Sequence, residues 1–272
     1  MPTIESQRPE PSSDSVEALS SVLNDDLYLR RRMNPPLTDL DYLIFKDLLP
    51  VIRRFAESVQ GHLLDYGSGG APYRSLFPSL TQYEAADVTP GPKVTLTLRS
   101  DGSVPVVEET FDAVLSTQVL EHVPDPGAYL REGLRVLKPG GRMLVTTHGL
   151  FIEHGCPYDF RRWTAKGLEW EAKAAGFEIL KASKIVAGPR GSFHLMHYCV
   201  AELIQTERPQ VHALLTVVRK LYCWFALPAL NWLGDFFTNM SEVPADHRTP
   251  VFSGVIVELR KPNAVIRSLS HS

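Results

Sequence analysis

The chain has 272 residues, of which 44% are hydrophobic and 22% charged, and its 28 basic and 31 acidic side chains leave a formal net charge of −3. Such a length supports one well-filled core, or at most two small ones. The mildly acidic balance argues against a protein that holds nucleic acid mainly through phosphate contacts, so we predict no nucleic-acid partner.

The cysteine content and the apolar patterning predict a cytoplasmic protein. Cys156, Cys199 and Cys223 are odd in number and share no CxxC spacing, which argues against a disulfide framework or a zinc site and favours a reducing cytosol. The first residues show no basic segment followed by an apolar run, as a signal peptide would. No uninterrupted apolar stretch reaches the roughly 18 residues that a membrane span needs.

The N-terminal part divides into a tail and a helical segment. Residues 1–24 are rich in Ser, Pro and Glu, and this composition predicts a disordered tail followed by a single domain over residues 25–272. From Thr38 to Val59 apolar residues recur at helical spacing, with Pro50 as a break or kink between two shorter helices. We therefore predict N-terminal helices over residues 38–60.

The next part of the chain alternates between strand and helix patterns. The predicted strands cover residues 62–66, 83–87, 94–98, 111–117, 142–147 and 177–186, and the predicted helices cover residues 125–137 and 165–175. Asp125 is the predicted N-cap of the first of these helices, and a turn over residues 138–141 ends it. This alternation predicts parallel βαβ units, with helices on both faces of the sheet, over residues 61–190.

The C-terminal part interrupts that rhythm. Residues 195–240 are apolar and aromatic and predict two or more helices within an insertion over residues 191–245. We leave four roles open for this insertion: part of the core, a lid over a ligand, a homodimer interface, or a contact with a membrane surface or lipid. The alternation from Val251 to Leu259 predicts a final strand within residues 250–260.

A glycine-rich turn follows the first predicted strand. Gly67 and Gly69 lie where the ends of parallel strands bind ligands, and glycine lets the backbone approach a ligand closely. Asp87 ends the second strand 22 residues after Asp65, close to the spacing at which an acidic residue meets a ribose hydroxyl. Pro72 stands where a nicotinamide-binding motif has its third glycine. A nucleoside ligand is favoured, while a dinucleotide or a turn without ligand remain alternatives.

Three motifs occur in the order and spacing of one protein family. They are Leu64-Asp65-Tyr66-Gly67-Ser68-Gly69, the segment from Ser116 to Pro126 that contains Glu121-His122, and Leu137-Lys138-Pro139-Gly140-Gly141-Arg142. On these motifs the chain resembles class I S-adenosylmethionine-dependent methyltransferases of the small-molecule branch often named type 11. The resemblance covers about residues 60–186. It implies a Rossmann-like, mostly parallel seven-stranded sheet with helices on both faces and an antiparallel last strand.

The resemblance also implies S-adenosylmethionine as the cofactor and gives roles to individual residues. Asp65, Gly67 and Gly69 would line its methionine moiety. Asp87 would bind both ribose hydroxyls, since a diol on a carboxylate forms charge-assisted hydrogen bonds, and Val88 would pack on the adenine.

Four further positions complete the implied cofactor site. Asp101 would accept a hydrogen bond from the adenine amino group, with Gly102 allowing close backbone approach. Gln118, at the end of the fourth strand, would lie beside the methionine part. Tyr73 would cover the sulfonium or the carboxylate, because a positive sulfonium is tolerated near an aromatic face.

The catalytic candidates are three histidines that follow the fourth and fifth strands. An imidazole can take the proton of an attacking hydroxyl, and His148, His154 and His122 are the candidates for that role. His122 has an alternative role in bracing the cofactor loop. Asp159 with Arg161 and Arg162 favours a loop-locking ion pair. No compact carboxylate cluster with ligand spacing follows these strands, so no metal is predicted.

These observations lead to one preferred function and two alternatives. The preferred function is methyl transfer from S-adenosylmethionine to a hydroxyl of a small or medium organic acceptor: a sugar, a glycosylated natural product, a quinone or a lipid-linked glycan. Transfer to nitrogen or carbon stays open. The first alternative is a non-catalytic nucleotide-binding or scaffold protein with the same fold. The second is an NAD-dependent oxidoreductase, against which the missing third glycine and the Glu121-His122 motif both count.

Overall fold

The computed structural model describes residues 26–155, 158–202 and 209–263, so the predicted disordered tail over residues 1–24 and Cys156 lie outside the described residues. Eight strands form one sheet. Their bounds are β1 Gly61–Tyr66, β2 Leu80–Asp87, β3 Leu96–Thr97, β4 Phe111–Thr117, β5 Leu137–His148, β6 Glu178–Ala187, β7 Glu242–Pro244 and β8 Phe252–Arg260. Every predicted strand is present among them.

Helices cover both faces of this sheet. In the described part of the chain they are α1 Asp26–Met33, α2 Tyr42–Ser58, α3 Pro126–Val136, α4 Ala165–Ala174, α5 Pro189–Glu202, α6 Pro209–Leu221 and α7 Leu227–Gly234. A π-helical turn, Tyr222–Ala226, joins α6 to α7, and 3₁₀ turns occupy Arg74–Leu76, Leu120–His122 and Asp235–Met240. Helix α1 was not predicted, because its apolar residues are few and its last turn is basic.

The strand order is β3-β2-β1-β4-β5-β8-β6-β7. The pairs of β1 with β2, β2 with β3, β1 with β4 and β4 with β5 are parallel, whereas β8 runs antiparallel to both β5 and β6. The Rossmann-like, mostly parallel sheet with an antiparallel last strand is therefore confirmed. The predicted number of seven strands was wrong, because the short strand β7 adds an eighth at the edge of β6.

The sheet topology creates a binding edge between β1 and β4. From β1 the chain moves outward to β2 and β3, and it then returns to the other side of β1 as β4. Adjacent loops diverge at such a switch point, and ligands in open α/β sheets bind there, outside the carboxyl ends of the strands. β1, β2, β4 and β5 end at Tyr66, Asp87, Thr117 and His148, so the predicted site residues share this edge.

The core lies in two layers, one on each face of the sheet. Leu63 belongs to the buried cluster beneath α2, and Leu64 belongs to the cluster beneath α3 and α4. Successive side chains of a strand point to opposite faces, so a strand covered on both sides is apolar at consecutive positions. This explains why the central strands read as continuous apolar runs.

Two details of the predicted elements were wrong. Pro50 does not separate two helices, since α2 continues through it from Tyr42 to Ser58. An interior proline costs about 3 kcal/mol, but Leu48, Ile52 and Phe55 are buried around it, and each such side chain contributes about 1.5–3 kcal/mol. The predicted turn over residues 138–141 lies inside β5, as an irregularity in its register with β4.

Asp125 and the helical C-terminal region follow the prediction more closely. The Asp125 carboxylate accepts a hydrogen bond of 2.8 Å from the Ala128 amide and caps α3.

Residues 195–240 contain helices, and the region around the π turn exposes large apolar side chains, with Trp224 76% exposed. None of the described helices has the length and apolar content to cross a membrane. The lipid contact, the homodimer and the single domain over residues 25–272 stay predictions.

Candidate active site

The glycine-rich turn after β1 is fastened to the end of β2. The amides of Gly67 and Ser68 donate to the Ala86 carbonyl at 2.8 and 2.9 Å. Gly67 and Gly69 have φ values of +80° and +51°, a region that favours glycine. A Cβ atom on Gly67 would lie 2.6 Å from a methyl group of Val119, so the turn also packs closely on the segment after β4. The turn thus carries no side chain at Gly67 or Gly69, and at Gly67 the neighbouring Val119 leaves no room for one.

Asp87 lies directly beside that turn. One carboxylate oxygen accepts from the Gly69 amide at 2.9 Å, and the other accepts from the Thr89 amide at 3.0 Å. These two bonds fix the carboxylate and leave each oxygen a lone pair. The next residue, Val88, is 56% exposed. A fixed carboxylate next to an exposed apolar side chain is the arrangement that a ribose and its adenine would need.

Three polar atoms around the turn are buried without a hydrogen-bond partner: Asp65 Oδ1, Ser68 Oγ and Gln118 Oε1. Burial raises the pKa of Asp65 to about 7, although the Tyr83 hydroxyl donates to its other oxygen. Gln118 has a positive φ of +55° and its side-chain amide lies 3.3 Å from Thr146 Oγ1. Buried polar groups normally have partners, so these atoms favour a polar ligand at the turn.

The remaining predicted cofactor residues lie in different environments. Tyr73 is buried among the side chains beneath α2, and this burial raises its pKa. Asp101 is exposed, and its carboxylate accepts from the Ser103 amide at 2.9 Å. The backbone of Gly102 is fixed by a hydrogen bond of 2.6 Å that the Tyr66 hydroxyl donates to its carbonyl. The predicted contacts of these residues with the cofactor stay predictions.

The three candidate histidines come together after β4 and β5. The His154 ring lies 5.0 Å from the His122 ring and 5.1 Å from the His148 ring, and both contacts are edge-to-face. His148 is buried, and this burial lowers its pKa well below the usual value. His122 Nδ1 lies 2.7 Å from the Tyr158 carbonyl, so it carries the proton and donates it there. Nε2 of His122 is left as an acceptor.

Glu121 joins this cluster, although the sequence reasoning did not place it among the candidates. It is fully buried, and burial raises its pKa to about 7. One carboxylate oxygen accepts from Thr147 Oγ1 at 2.8 Å, and the other lies 3.3 Å from His148 Nε2. The sequence signal for Glu121 was its place beside His122 in the second motif, directly after an apolar strand. That motif gave a role to the histidine and none to the carboxylate.

An ion pair holds the loop that carries His154, as predicted for Asp159. Arg162 binds both oxygens of Asp159, with distances of 2.5 and 2.6 Å. Burial of Asp159 opposes its charged form, but the hydrogen bonds from Arg162 outweigh it and lower the pKa of Asp159 to about 2. Arg162 also donates to the Phe151 carbonyl at 3.1 Å. Arg161 is not part of the pair and donates instead to the Pro124 carbonyl at 3.0 Å.

The wall behind the histidines contains side chains that sequence reasoning missed. Phe151 stacks on His148 at 4.1 Å and contacts His194 and Tyr198 at 5.5 and 4.9 Å. The Tyr198 hydroxyl donates to Asp41, and His194 Nε2 lies 3.5 Å from the same carboxylate. Burial alone would raise the pKa of Asp41, but His194 and Tyr198 lower it to about 2. These contacts join residues far apart in sequence, which no local pattern indicates.

The fold and this edge are those of the class I S-adenosylmethionine-dependent methyltransferases. A family model described as a methyltransferase domain matches residues 40–182, about half of the chain. The chain therefore belongs to the methyltransferase-domain family, which confirms the family predicted from the sequence and its cofactor. The bare turn, the fixed Asp87 carboxylate and the unpartnered polar atoms fit S-adenosylmethionine.

Curated relatives match shorter stretches of the chain. The ubiquinone biosynthesis O-methyltransferase of Azorhizobium caulinodans is 34% identical over 122 residues, which are 38% of this chain and 48% of that protein. The enzyme of the same name from Caulobacter vibrioides is 34% identical over 105 residues, covering 31% of this chain and 40% of that protein. The chain thus matches less than half of the length of either relative.

Two solved structures are similar at low sequence identity. One is the 1,6-didemethyltoxoflavin-N1-methyltransferase of Burkholderia thailandensis, with 16% identity, a TM-score of 0.48 and coverage of 94% of this chain and 93% of that one. The other is the phosphoethanolamine N-methyltransferase 2 of Haemonchus contortus, with 16% identity, a TM-score of 0.47 and coverage of 90% and 60%.

Proposed function

We propose that this chain transfers the methyl group of S-adenosylmethionine to a hydroxyl oxygen of a small or medium organic acceptor. The observation that carries this proposal is the group formed by Glu121, His122, His148 and His154, which follows β4 and β5 at the edge of the predicted cofactor site. A hydroxyl must lose a proton on methylation, and imidazoles accept one near neutral pH.

On the cofactor side, the chain binds and orients. S-adenosylmethionine, when bound, supplies an activated methyl group, so positioning is the main task left to the protein, and positioning is worth about 7–11 kcal/mol. Asp87 would hold the ribose diol, and Gly67 and Gly69 would let the backbone come close to the methionine part. Gln118 would meet that part with its unpartnered oxygen.

On the acceptor side, His122 and His154 offer free Nε2 atoms. The Nδ1 proton of His122 is directed to the Tyr158 carbonyl, and His154 Nδ1 lies 3.3 Å from Asp159 Oδ2. Since both Nδ1 atoms face oxygen acceptors, Nε2 remains the atom that can take the acceptor proton. Two side chains contact the Asp159 carboxylate, and His154 is the more exposed of them, at 32% against 25% for Arg162.

The acceptor is an organic hydroxyl of the predicted classes: a sugar, a glycosylated natural product, a quinone or a lipid-linked glycan. The names of the curated relatives, ubiquinone biosynthesis O-methyltransferases, support oxygen as the methylated atom and a quinone precursor among these acceptors. The aromatic wall of Phe151 and Tyr198 supports an acceptor with an apolar or ring-shaped part.

Incubation with methyl-labelled S-adenosylmethionine and an extract of small molecules tests the proposal. We expect a labelled product whose methyl group is lost as methanol or methyl iodide in ether cleavage, because the bond formed is carbon to oxygen. Label on nitrogen or carbon would contradict oxygen as the acceptor. Binding of the cofactor with no labelled product from any extract fraction would favour the non-catalytic alternative. Lys166→Ala, an exposed change outside the site, is the control.

A further inference from the structure

Three side chains of metal-ligand type converge at the acceptor side of the cleft. Glu121 lies on the 3₁₀ turn after β4, His148 ends β5, and His154 lies on the loop that follows. One ligand atom from each residue lies within 4.8 Å of the other two. Among the residues that the structure describes, this is the group of three or more histidine, cysteine or acidic side chains that comes together in this way.

The spacing of Glu121 and His148 is that of a coordination sphere. Glu121 Oε1 and His148 Nε2 are 3.3 Å apart, yet Oε1 is buried and makes no hydrogen bond. Ligand atoms of a tetrahedral site with bonds of about 2.0–2.1 Å lie about 3.3–3.4 Å from one another. The second oxygen of Glu121 is held by Thr147 Oγ1 at 2.8 Å, which fixes the direction of the free oxygen.

The surroundings of His154 resemble those of a metal-binding histidine. Its Nδ1 lies 3.3 Å from Asp159 Oδ2, and Arg162 holds both oxygens of Asp159. Histidine ligands commonly donate their second ring proton to a carboxylate or a backbone carbonyl, which fixes the tautomer and the ring orientation. Here the hydrogen-bond contact of Nδ1 is with the Ile152 carbonyl at 3.3 Å, beside the Asp159 carboxylate. Phe151 fixes the His148 ring in turn, stacked at 4.1 Å and nearly parallel.

We propose that Glu121, His148 and His154 bind one divalent transition-metal ion of the zinc class. Two imidazole nitrogens and one carboxylate oxygen suit Zn²⁺ and its first-row neighbours, whereas Mg²⁺ and Ca²⁺ prefer oxygen ligands alone. Three protein ligands leave a coordination position open, and such an ion polarises an oxygen placed there. The inference rests on the proposed function only in identifying that oxygen as the acceptor hydroxyl.

The sequence predicted no metal ligand and left open whether a metal is required. That prediction was based on the lack of a compact carboxylate cluster after β4 and β5, and the structure shows a mixed set instead. His148 and His154 are close in sequence, but Glu121 comes from the preceding strand's turn, so the set has no linear spacing to reveal it. With these three residues as ligands, Nε2 of His154 would face the ion, and His122 is the histidine of the group that would not bind it.

Metal content tests the proposal without any assay of methyl transfer. The full chain is freed of metal with a chelator, incubated with a small excess of Zn²⁺ or Co²⁺, passed over a desalting column and analysed by elemental mass spectrometry. We expect about one ion per chain with either metal, and visible absorption bands from the Co²⁺ form, since four- or five-coordinate Co²⁺ absorbs strongly. Mg²⁺ at the same concentration should not displace the ion.

Two ligand variants and one control locate the ion. His154→Ala and Glu121→Gln should each weaken Zn²⁺ binding at least tenfold, as even the loss of an outer partner costs about 10- to 100-fold. His247→Ala, an exposed histidine elsewhere, should bind like the parent chain. Because Glu121 is buried, circular dichroism checks that its variant is folded, and the partly exposed His154 keeps the test decisive if Glu121→Gln fails to fold.

The outcomes separate this inference from the proposed function. No retained ion, or equal retention by the parent chain and His154→Ala, would overturn the metal site even if the chain methylates a hydroxyl. Retention of one ion lost in both ligand variants would support it even if no methyl transfer were found. Asp87→Asn should lose the cofactor and keep the ion, because Asp87 is not among the three ligands.

Discussion

The carboxylate of Asp87 gives the sharpest test of the cofactor site. Asp87→Asn removes the negative charge and one acceptor oxygen but preserves the size of the side chain. A hydrogen bond to a charged group contributes about 1.5–3 kcal/mol, and the amide retains part of one such bond. We therefore expect a loss of about 2–4 kcal/mol of cofactor binding free energy, or about 30- to 1,000-fold in Kd.

The measurement is isothermal titration of S-adenosylhomocysteine and S-adenosylmethionine into both proteins. Glu84→Gln is the matched control, since Glu84 lies on the same strand and its carboxylate accepts from Thr95 Oγ1, away from the glycine-rich turn. Its Kd should equal that of the parent chain. A change below threefold in Asp87→Asn would refute the assignment of Asp87 to the ribose. A loss of folding in both variants would instead show that β2 does not tolerate these changes.

Three further predictions concern the turn, the acceptor side and the wall behind it. Gly67→Ala should lower the free energy of unfolding by about 2–4 kcal/mol, because its φ is left-handed and the new Cβ would lie 2.6 Å from Val119. Gly102→Ala should lower it by only about 1–2 kcal/mol, because its φ is also left-handed but its Cβ would have no atom within 4 Å. His122→Gln should lower kcat about 10²- to 10⁴-fold and leave the cofactor Kd unchanged. Asp41→Asn should remove an acid-dependent part of stability, about 1–2 kcal/mol.

The direction of the pH dependence in Asp41→Asn follows from the pKa of Asp41. The folded pKa of Asp41 is lowered to about 2 from 3.8, so its contribution is complete above 3.8 and is lost as pH falls toward about 2. Urea unfolding at several pH values measures it, and an unchanged acid limb in Asp41→Asn would contradict it. Equal losses in the two glycine variants would show that Val119 yields easily. An unchanged kcat in His122→Gln would assign the proton to another group.

The sequence predicted the strands well because burial on two faces leaves a continuous apolar pattern. Phe111–Thr117 was predicted with the bounds that the structure shows, and Asp125 with its capping bond. Helix α2 and strand β7 were harder. The cost of Pro50 is local and visible, whereas the burial that outweighs it comes from tertiary packing. β7 has three residues and pairs with β6 across about 60 residues of chain, a contact with no periodic signal.

The cofactor residues were predictable from the sequence, whereas the contacts of the candidate histidines were not. Asp87, Gly67 and Gly69 lie at strand ends, and strand ends are fixed by the alternation of strands and helices, so a spacing rule was enough to place them. The partners of the histidines depend on loops. The bond from His122 to the Tyr158 carbonyl forms only when the loop after β5 packs against the segment after β4. The ion pair of Asp159 with Arg162 joins residues three apart within that loop, and it was predicted.

The aromatic wall behind the histidines, formed by Phe151, His194 and Tyr198, extends beyond the part of the chain that matches the methyltransferase family. The cofactor turn and all three proposed metal ligands lie within residues 40–182, but His194 and Tyr198 lie on α5, outside it. Both rings contact Phe151, which in turn stacks on His148. If the acceptor binds as proposed, substitutions on α5 would change the choice of acceptor without altering the cofactor residues. Phe151 contacts His148 on one hand and the two α5 rings on the other, so under the two proposals above this ring would connect the acceptor pocket to the metal site.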